Sequence, residues 1–154
     1  MDREPVTLDV ETETGLAASL FNGVWTLLEN PSRTADDDLL MVHMAHASRY
    51  HWGRVGTVEN AVRGEWQCSR VYATLRRAEP ALFHAQRALA MCETNGIGDF
   101  DLAFCYEALA RAHAVAGDSD EAQRWQQRGL EAVNDVTEDD DREILLADIA
   151  SVPI

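Results

Sequence analysis

Helix stops divide this chain at short, regular intervals, and that punctuation constrains its fold more than any other feature. Asn30-Pro31-Ser32, Gly53 and Gly56, Glu79-Pro80, Asn95-Gly96 and Gly117 each interrupt a run of helical period. Within the runs, apolar residues recur at threes and fours, as in GLAASLFNGVWTLLEN, where Leu16, Leu20, Trp25, Leu27 and Leu28 fall near one side. Start signals precede several runs. Thr34-Ala-Asp-Asp37 has the form of a cap with acids in the first turn, where the helix dipole favours them. Thr57, Asp99 and Ser119 are further candidate caps, and Pro80 stands at a tolerated first-turn position. No Asn-Gly turn joins alternating segments, so strands are not expected. The pattern predicts an all-α protein of about seven helices.

Connections this short make consecutive helices antiparallel neighbours. The expected hairpins span 13–53, 57–95 and 99–134, followed by a capping helix at 138–151. Residues 1–11 alternate loosely and end in charges, and are expected to be a flexible acidic arm. With 154 residues, 46% of them hydrophobic, the chain is long enough to bury a core as one domain. No apolar run reaches the roughly 20 residues needed to cross a bilayer. The opening MDREPVTLDVETETG lacks the charged-then-apolar order of a signal peptide, so the expected location is the cytoplasm. Cys68, Cys92 and Cys105 are odd in number and widely spaced, which predicts reduced, buried thiols.

Two hairpins also repeat. AFCYEALARAHAVAGDSDEAQRWQQRGLEAV, 103 to 133, resembles the tetratricopeptide repeat, a helix-turn-helix unit with small residues where its helices touch. Tyr106 takes the first aromatic position, Leu109-Ala110 the large–small pair, His113 the next aromatic position and Gly117-Asp118 the turn. Ala122 and Gly129-Leu130 take the small positions of the second helix. Gln126 departs from the expected aromatic, with Trp125 beside it. In EWQCSRVYATLRRAEPALFHAQRALAMCE, 65 to 93, Tyr72, Ala81, Ala85 and Ala88-Leu89 fit, while Cys68-Ser69 replaces the usual Leu–Gly and Arg76-Arg77 the turn glycine. The resemblance implies that residues 12–154 form one domain of hairpins stacked as a short right-handed superhelix, with a terminal helix covering the last apolar face. The phrases HASRYHW and RGEWQ are also similar to uncharacterised bacterial helical-repeat proteins, which supply no activity to carry over.

Charge narrows the partners. The net charge of −14 argues against nucleic acid and anionic membranes. It is unevenly spread: residues 48–90 carry seven arginines against three acids, between two strongly acidic flanks, and lysine is absent. In the tetratricopeptide repeat the first helix of each pair lines a concave groove. By matching position the groove residues would be Arg63, Trp66 and Arg70, then Phe104, Glu107 and Arg111. Such a groove implies a protein–protein adaptor. Its arginines would hold acids of a partner segment and its aromatics would cover apolar side chains. The plainer alternative is a solvated face carrying ion pairs such as Arg111–Glu107 at i,i+4. The Lys and Asn of the repeat's carboxylate clamp are not matched.

The stretch HMAHASRYHW, 43 to 52, supports a different reading. His43 and His46 share a helix face and His51 lies at its edge, a spacing that permits imidazoles on one divalent metal ion. A complete site needs a carboxylate or a third histidine from elsewhere, with Glu59, Glu65 and Glu107 as candidate carboxylates. The competing reading is satisfied histidines between packed helices. No HExxH, GxSxG, GxGxxG or phosphate-binding glycine loop is present. The leading expectation is therefore a non-enzymatic binding module without a cofactor. A small-ligand or metal protein, with or without catalysis, is the alternative, and homodimerisation through an exposed apolar end is a third.

Overall fold

A computed structural model describes residues 4–154, which form seven α-helices and one 3-10 turn, with no strand among the described residues. The helices are α1 (Val10–Leu28), α2 (Ala35–Val55), α3 (Val58–Thr74), α4 (Ala78–Asn95), α5 (Asp99–Ala116), α6 (Ser119–Ala132) and α7 (Asp139–Ala150). The all-α class and the helix number are as the sequence led us to expect. Consecutive helices pack as hairpins: α1 on α2, α3 on α4, α5 on α6. Neighbouring hairpins join through α2 on α3 and α4 on α5, and first helices also meet, α1 with α3 and α3 with α5, with α7 lying on α5.

Local chemistry sets most of the boundaries. Thr34 Oγ1 accepts from the Asp37 amide at 3.1 Å while Asp37 Oδ2 accepts from the Thr34 amide at 2.9 Å, a complete capping box. Thr57 and Asn60 repeat the device at α3. Gly96 (φ 65°) and Gly117 (φ 81°) end α4 and α5 in the left-handed conformation that only glycine adopts without strain. Three starts differ from expectation. α1 begins at Val10, two residues inside the expected arm, because Asp9 accepts from the Thr12 amide and hydroxyl at 2.9 and 2.7 Å; residues 1–3 of that arm lie outside the described residues. Asp118, not Ser119, caps α6. Asp99 is the first residue of α5 at φ 53°, and its carboxylate receives Thr137 Oγ1 at 2.5 Å, tying the loop before α7 to α5.

Small residues stand where the helices cross. Ala81, Ala85, Ala88, Ala110, Ala112 and Ala122 are all fully buried. At Gly64 a Cβ would lie 2.7 Å from Arg49 Cδ and 3.3 Å from Arg49 Cα, so α2 and α3 approach as closely as a hydrogen side chain permits. Buried polar groups stitch separate hairpins or paired helices together. Ser48 Oγ donates to the Ala17 carbonyl at 2.9 Å, Gln67 Nε2 to Phe21 at 2.9 Å and Ser69 Oγ to Ala81 at 2.8 Å.

Candidate functional site

The first helices of the hairpins turn aromatic rings toward one another and leave a pocket of about 440 Å³ between them. α1 supplies Phe21 and Trp25, α3 supplies Trp66, and α5 supplies Phe100 and Phe104. The rings form a continuous chain: Trp25 to Trp66 at 5.3 Å, Trp66 edge-on to Phe104 at 5.2 Å, Phe104 to Phe100 at 4.6 Å. Their spacing on each helix is four (21 and 25, 100 and 104), which places each pair on one face.

The pocket's polar rim is Arg63, Asp101 and Asp141. Arg63 grips Asp101 with two hydrogen bonds, Nε to Oδ1 at 2.8 Å and Nη2 to Oδ2 at 3.1 Å. The hydrogen bond to Asp101 raises the guanidinium's pKa against the opposing effect of burial, and Asp141 adds to the rise. Asp141 makes no salt bridge among the described residues. Within the wall, the indole N–H of Trp66 is buried and meets no acceptor among the described residues.

Of the six residues expected to form a groove, Arg63, Trp66 and Phe104 line this pocket. Arg70, Glu107 and Arg111 form a separate internal network. Glu107 is fully buried, and its Oε1 receives Arg111 Nε at 2.6 Å and Arg70 Nη1 at 3.4 Å. Both arginines continue to α7 and its end: Arg70 Nη2 reaches Asp148 Oδ1 at 3.3 Å, and Arg111 Nη2 reaches the Asp148 carbonyl at 2.9 Å and Ser151 Oγ at 2.7 Å. The i,i+4 pair that the sequence offered as the plainer alternative for Arg111 is thus present. Sequence reasoning missed Phe21, Trp25, Phe100, Asp101 and Asp141. The signal for the aromatics was the four-residue spacing; nothing in the sequence placed α7's Asp141 beside α3.

The histidines separate. His51 Nδ1 lies 2.8 Å from Glu13 Oε1, which also receives Arg54 Nε at 2.7 Å. Glu13 is buried, yet its carboxyl sits below the usual range: the His51 hydrogen bond lowers it most, burial opposes, and Arg54 lowers it further. His43 is exposed. Only His46 joins a group of possible ligands among the described residues, and its companions are Cys68 and His84, not His43 and His51. One candidate ligand atom from each of the three residues lies within 4.8 Å of the other two. His46 Nε2 is 2.8 Å from Tyr72 Oη and its Nδ1 is 4.0 Å from Cys68 Sγ. His84 Nδ1 is 2.6 Å from Glu65 Oε2, and Glu65 Oε1 accepts from Arg49 Nε at 3.0 Å. Burial opposes ionisation of Glu65, but the hydrogen bonds from His84 and Arg49 outweigh it and hold the carboxyl below its usual range. Burial lowers His46, with His84 adding to the effect, and pushes the Cys68 thiol up to about 12. The sequence did carry a trace of this cluster. Glu65, Cys68 and Tyr72 are spaced by three and four on α3, and Cys68-Ser69 is where the repeat expects Leu–Gly.

Cys92 and Cys105 are buried, with their sulfurs 3.7 Å apart, and all three cysteines are free thiols. No helix among the described residues is long and apolar enough to cross a membrane. No family profile, curated protein or solved structure matches the chain.

Proposed function

We propose that this protein is an interaction module of tetratricopeptide-like build that takes a large apolar side chain of a partner segment into the aromatic pocket. The observation that carries the reading is the five-ring wall around about 440 Å³ of open space. Folding chains cover their aromatic rings, since each hides 150 Å² or more, roughly, when buried. Phe104 is buried in the back of the wall, while Phe21, Trp25, Trp66 and Phe100 are only partly covered and face one opening, which favours an occupant. The arrangement of first helices side by side, α1 with α3 and α3 with α5, supports the repeat-like reading, because that is the face such repeats present to ligands.

The rim decides the occupant's charge. Expecting an acidic partner relied on free guanidinium groups, and Arg63, Arg70 and Arg111 are each paired with an acid of this chain. Asp101 neutralises Arg63, and Asp141 leaves the rim net negative in a protein of net charge −14. A segment bearing a basic residue beside its apolar anchor complements this rim better than an acidic one.

Selection from a random peptide display library tests the reading. The expected winners carry Phe, Trp, Leu or Met next to Lys or Arg, and lose binding to Phe104→Ala and to Trp66→Leu. Asp141→Asn should weaken them several-fold without changing the apolar preference. Peptides that bind both pocket variants as well as wild type would overturn the assignment.

A further inference from the structure

Away from the pocket, α2, α3 and α4 converge on His46, Cys68 and His84, and we infer that these three side chains form a site for one zinc ion. The inference does not depend on the pocket's function. Its first support is geometric. A tetrahedral zinc with bonds of about 2.0 Å to nitrogen and 2.3 Å to sulfur sets its ligands roughly 3.3 to 3.6 Å apart. His46 Nδ1 and Cys68 Sγ are already 4.0 Å apart, and the widest spacing in the group is within 4.8 Å. Small side-chain rotations close the remainder.

The second support is what holds the rings. A metal-binding histidine fixes its orientation through its other nitrogen, which donates to a carboxylate or similar acceptor. His84 meets a carboxylate in this way, and His46 is held through one ring nitrogen by a tyrosine hydroxyl. His84 Nδ1 is held by Glu65 at 2.6 Å, and a carboxylate there selects the tautomer with its lone pair on Nε2. His46 Nε2 is held by Tyr72 Oη at 2.8 Å, leaving Nδ1 as the nitrogen on the side of Cys68. Glu65 is anchored in turn by Arg49 at 3.0 Å. Thus three donors stand together, each ring is braced from behind, and among them only a long S···N contact is made.

The donor set selects the ion. Two imidazoles and a sulfur suit a borderline-soft cation, and no carboxylate stands among the three to favour Mg²⁺ or Ca²⁺. On binding, Cys68 gives its thiol proton to solvent and coordinates as thiolate. Three protein ligands leave the fourth tetrahedral position to water or to an added donor.

The test is cobalt titration of the full chain without an affinity tag, with zinc as competitor. One equivalent of Co²⁺ should produce a thiolate-to-cobalt charge-transfer absorption together with visible bands of tetrahedral intensity, and Zn²⁺ should abolish both. Cys68→Ser should remove the charge-transfer absorption. Cys105→Ala, which deletes a comparably buried thiol outside the cluster, should keep it. Glu65→Gln should weaken binding about 10- to 100-fold while the band shape is retained. A folded wild-type chain giving no thiolate band at one equivalent overturns the inference whatever the variants do. So does a band that survives in Cys68→Ser. A spectrum without zinc displacement but with stoichiometric Cu⁺ uptake would replace zinc by copper and equally overturn the assignment as stated.

Discussion

Glu107→Gln removes one charge and almost no volume from the centre of the Arg70–Glu107–Arg111 network. Glu107 has no exposed surface, and its two partners are largely covered, at 17% and 12% side-chain exposure. Breaking a buried ion pair from one side costs about 3–5 kcal/mol, because the remaining charge is left uncompensated. Here the loss is smaller. Arg70 keeps Asp148, and Arg111 keeps the Asp148 carbonyl and Ser151. The amide oxygen of Gln still accepts one hydrogen bond from Arg111. The expected destabilisation is therefore about 2–3 kcal/mol, near the worth of a hydrogen bond to a charged group plus partial desolvation. For a chain of this length each kcal/mol moves the melting temperature by about 2–4 °C, so thermal unfolding followed by circular dichroism should show a drop of roughly 5–10 °C. Leucine in the same place should do worse, since it accepts nothing. A drop under about 2 °C for Glu107→Gln would mean that the network adds little to stability, and the structural role given to Arg70 and Arg111 would fail.

Other perturbations follow from the same contacts. Gly64→Ala gains about 1 kcal/mol of helix propensity but drives a methyl into Arg49, where overpacking costs about 1–3 kcal/mol; a net fall in melting temperature is expected, and a rise would show that α2 and α3 are not so close. Thr57→Ala deletes the α3 capping box and should cost about 1 kcal/mol in denaturant unfolding, with an unchanged m-value. Glu13 is depressed in the folded state, so its pairing with His51 and Arg54 adds stability above the unfolded pKa and loses it as pH falls through the folded one. The melting-temperature gap between wild type and Glu13→Gln should accordingly be full near neutrality and close on acidification below the ordinary carboxylate range; a gap that widens instead would reverse the sign of the argument.

What could be read from the sequence was whatever short-range chemistry dictates. Thr34, Thr57, Gly96 and Gly117 act on neighbours within four residues, and each marks a helix end in the structure. Alanines at 81, 85, 88, 110 and 122, which the tetratricopeptide resemblance put at small positions of α4, α5 and α6, are buried. The functional groups depend instead on which faces of distant helices meet. Trp66 looked like part of a basic groove because Arg63 and Arg70 flank it on α3. The structure sends Arg63 to Asp101 and Arg70 to Glu107, both on α5, and no pattern within α3 reveals that choice. His46 shared a helix face with His43 in the sequence, yet its neighbours in space are Cys68 and His84, 22 and 38 residues further on. Helix periodicity gives the direction of a side chain about its own axis; the partner across the gap is set by the approach of α2 to α3 at Gly64 and by the register of α4.

On the proposed function, a partner segment seats itself on Trp25 and Trp66. The chain has four tryptophans, and only those two line the pocket. Their indole N–H resonances in a nitrogen-labelled sample, followed while a display-selected peptide is added, read the site directly. The Trp25 and Trp66 signals should shift in a saturable way while Trp125, stacked on Tyr106 outside the pocket, stays in place. Movement of Trp125 with Trp66 unmoved would contradict the proposed function.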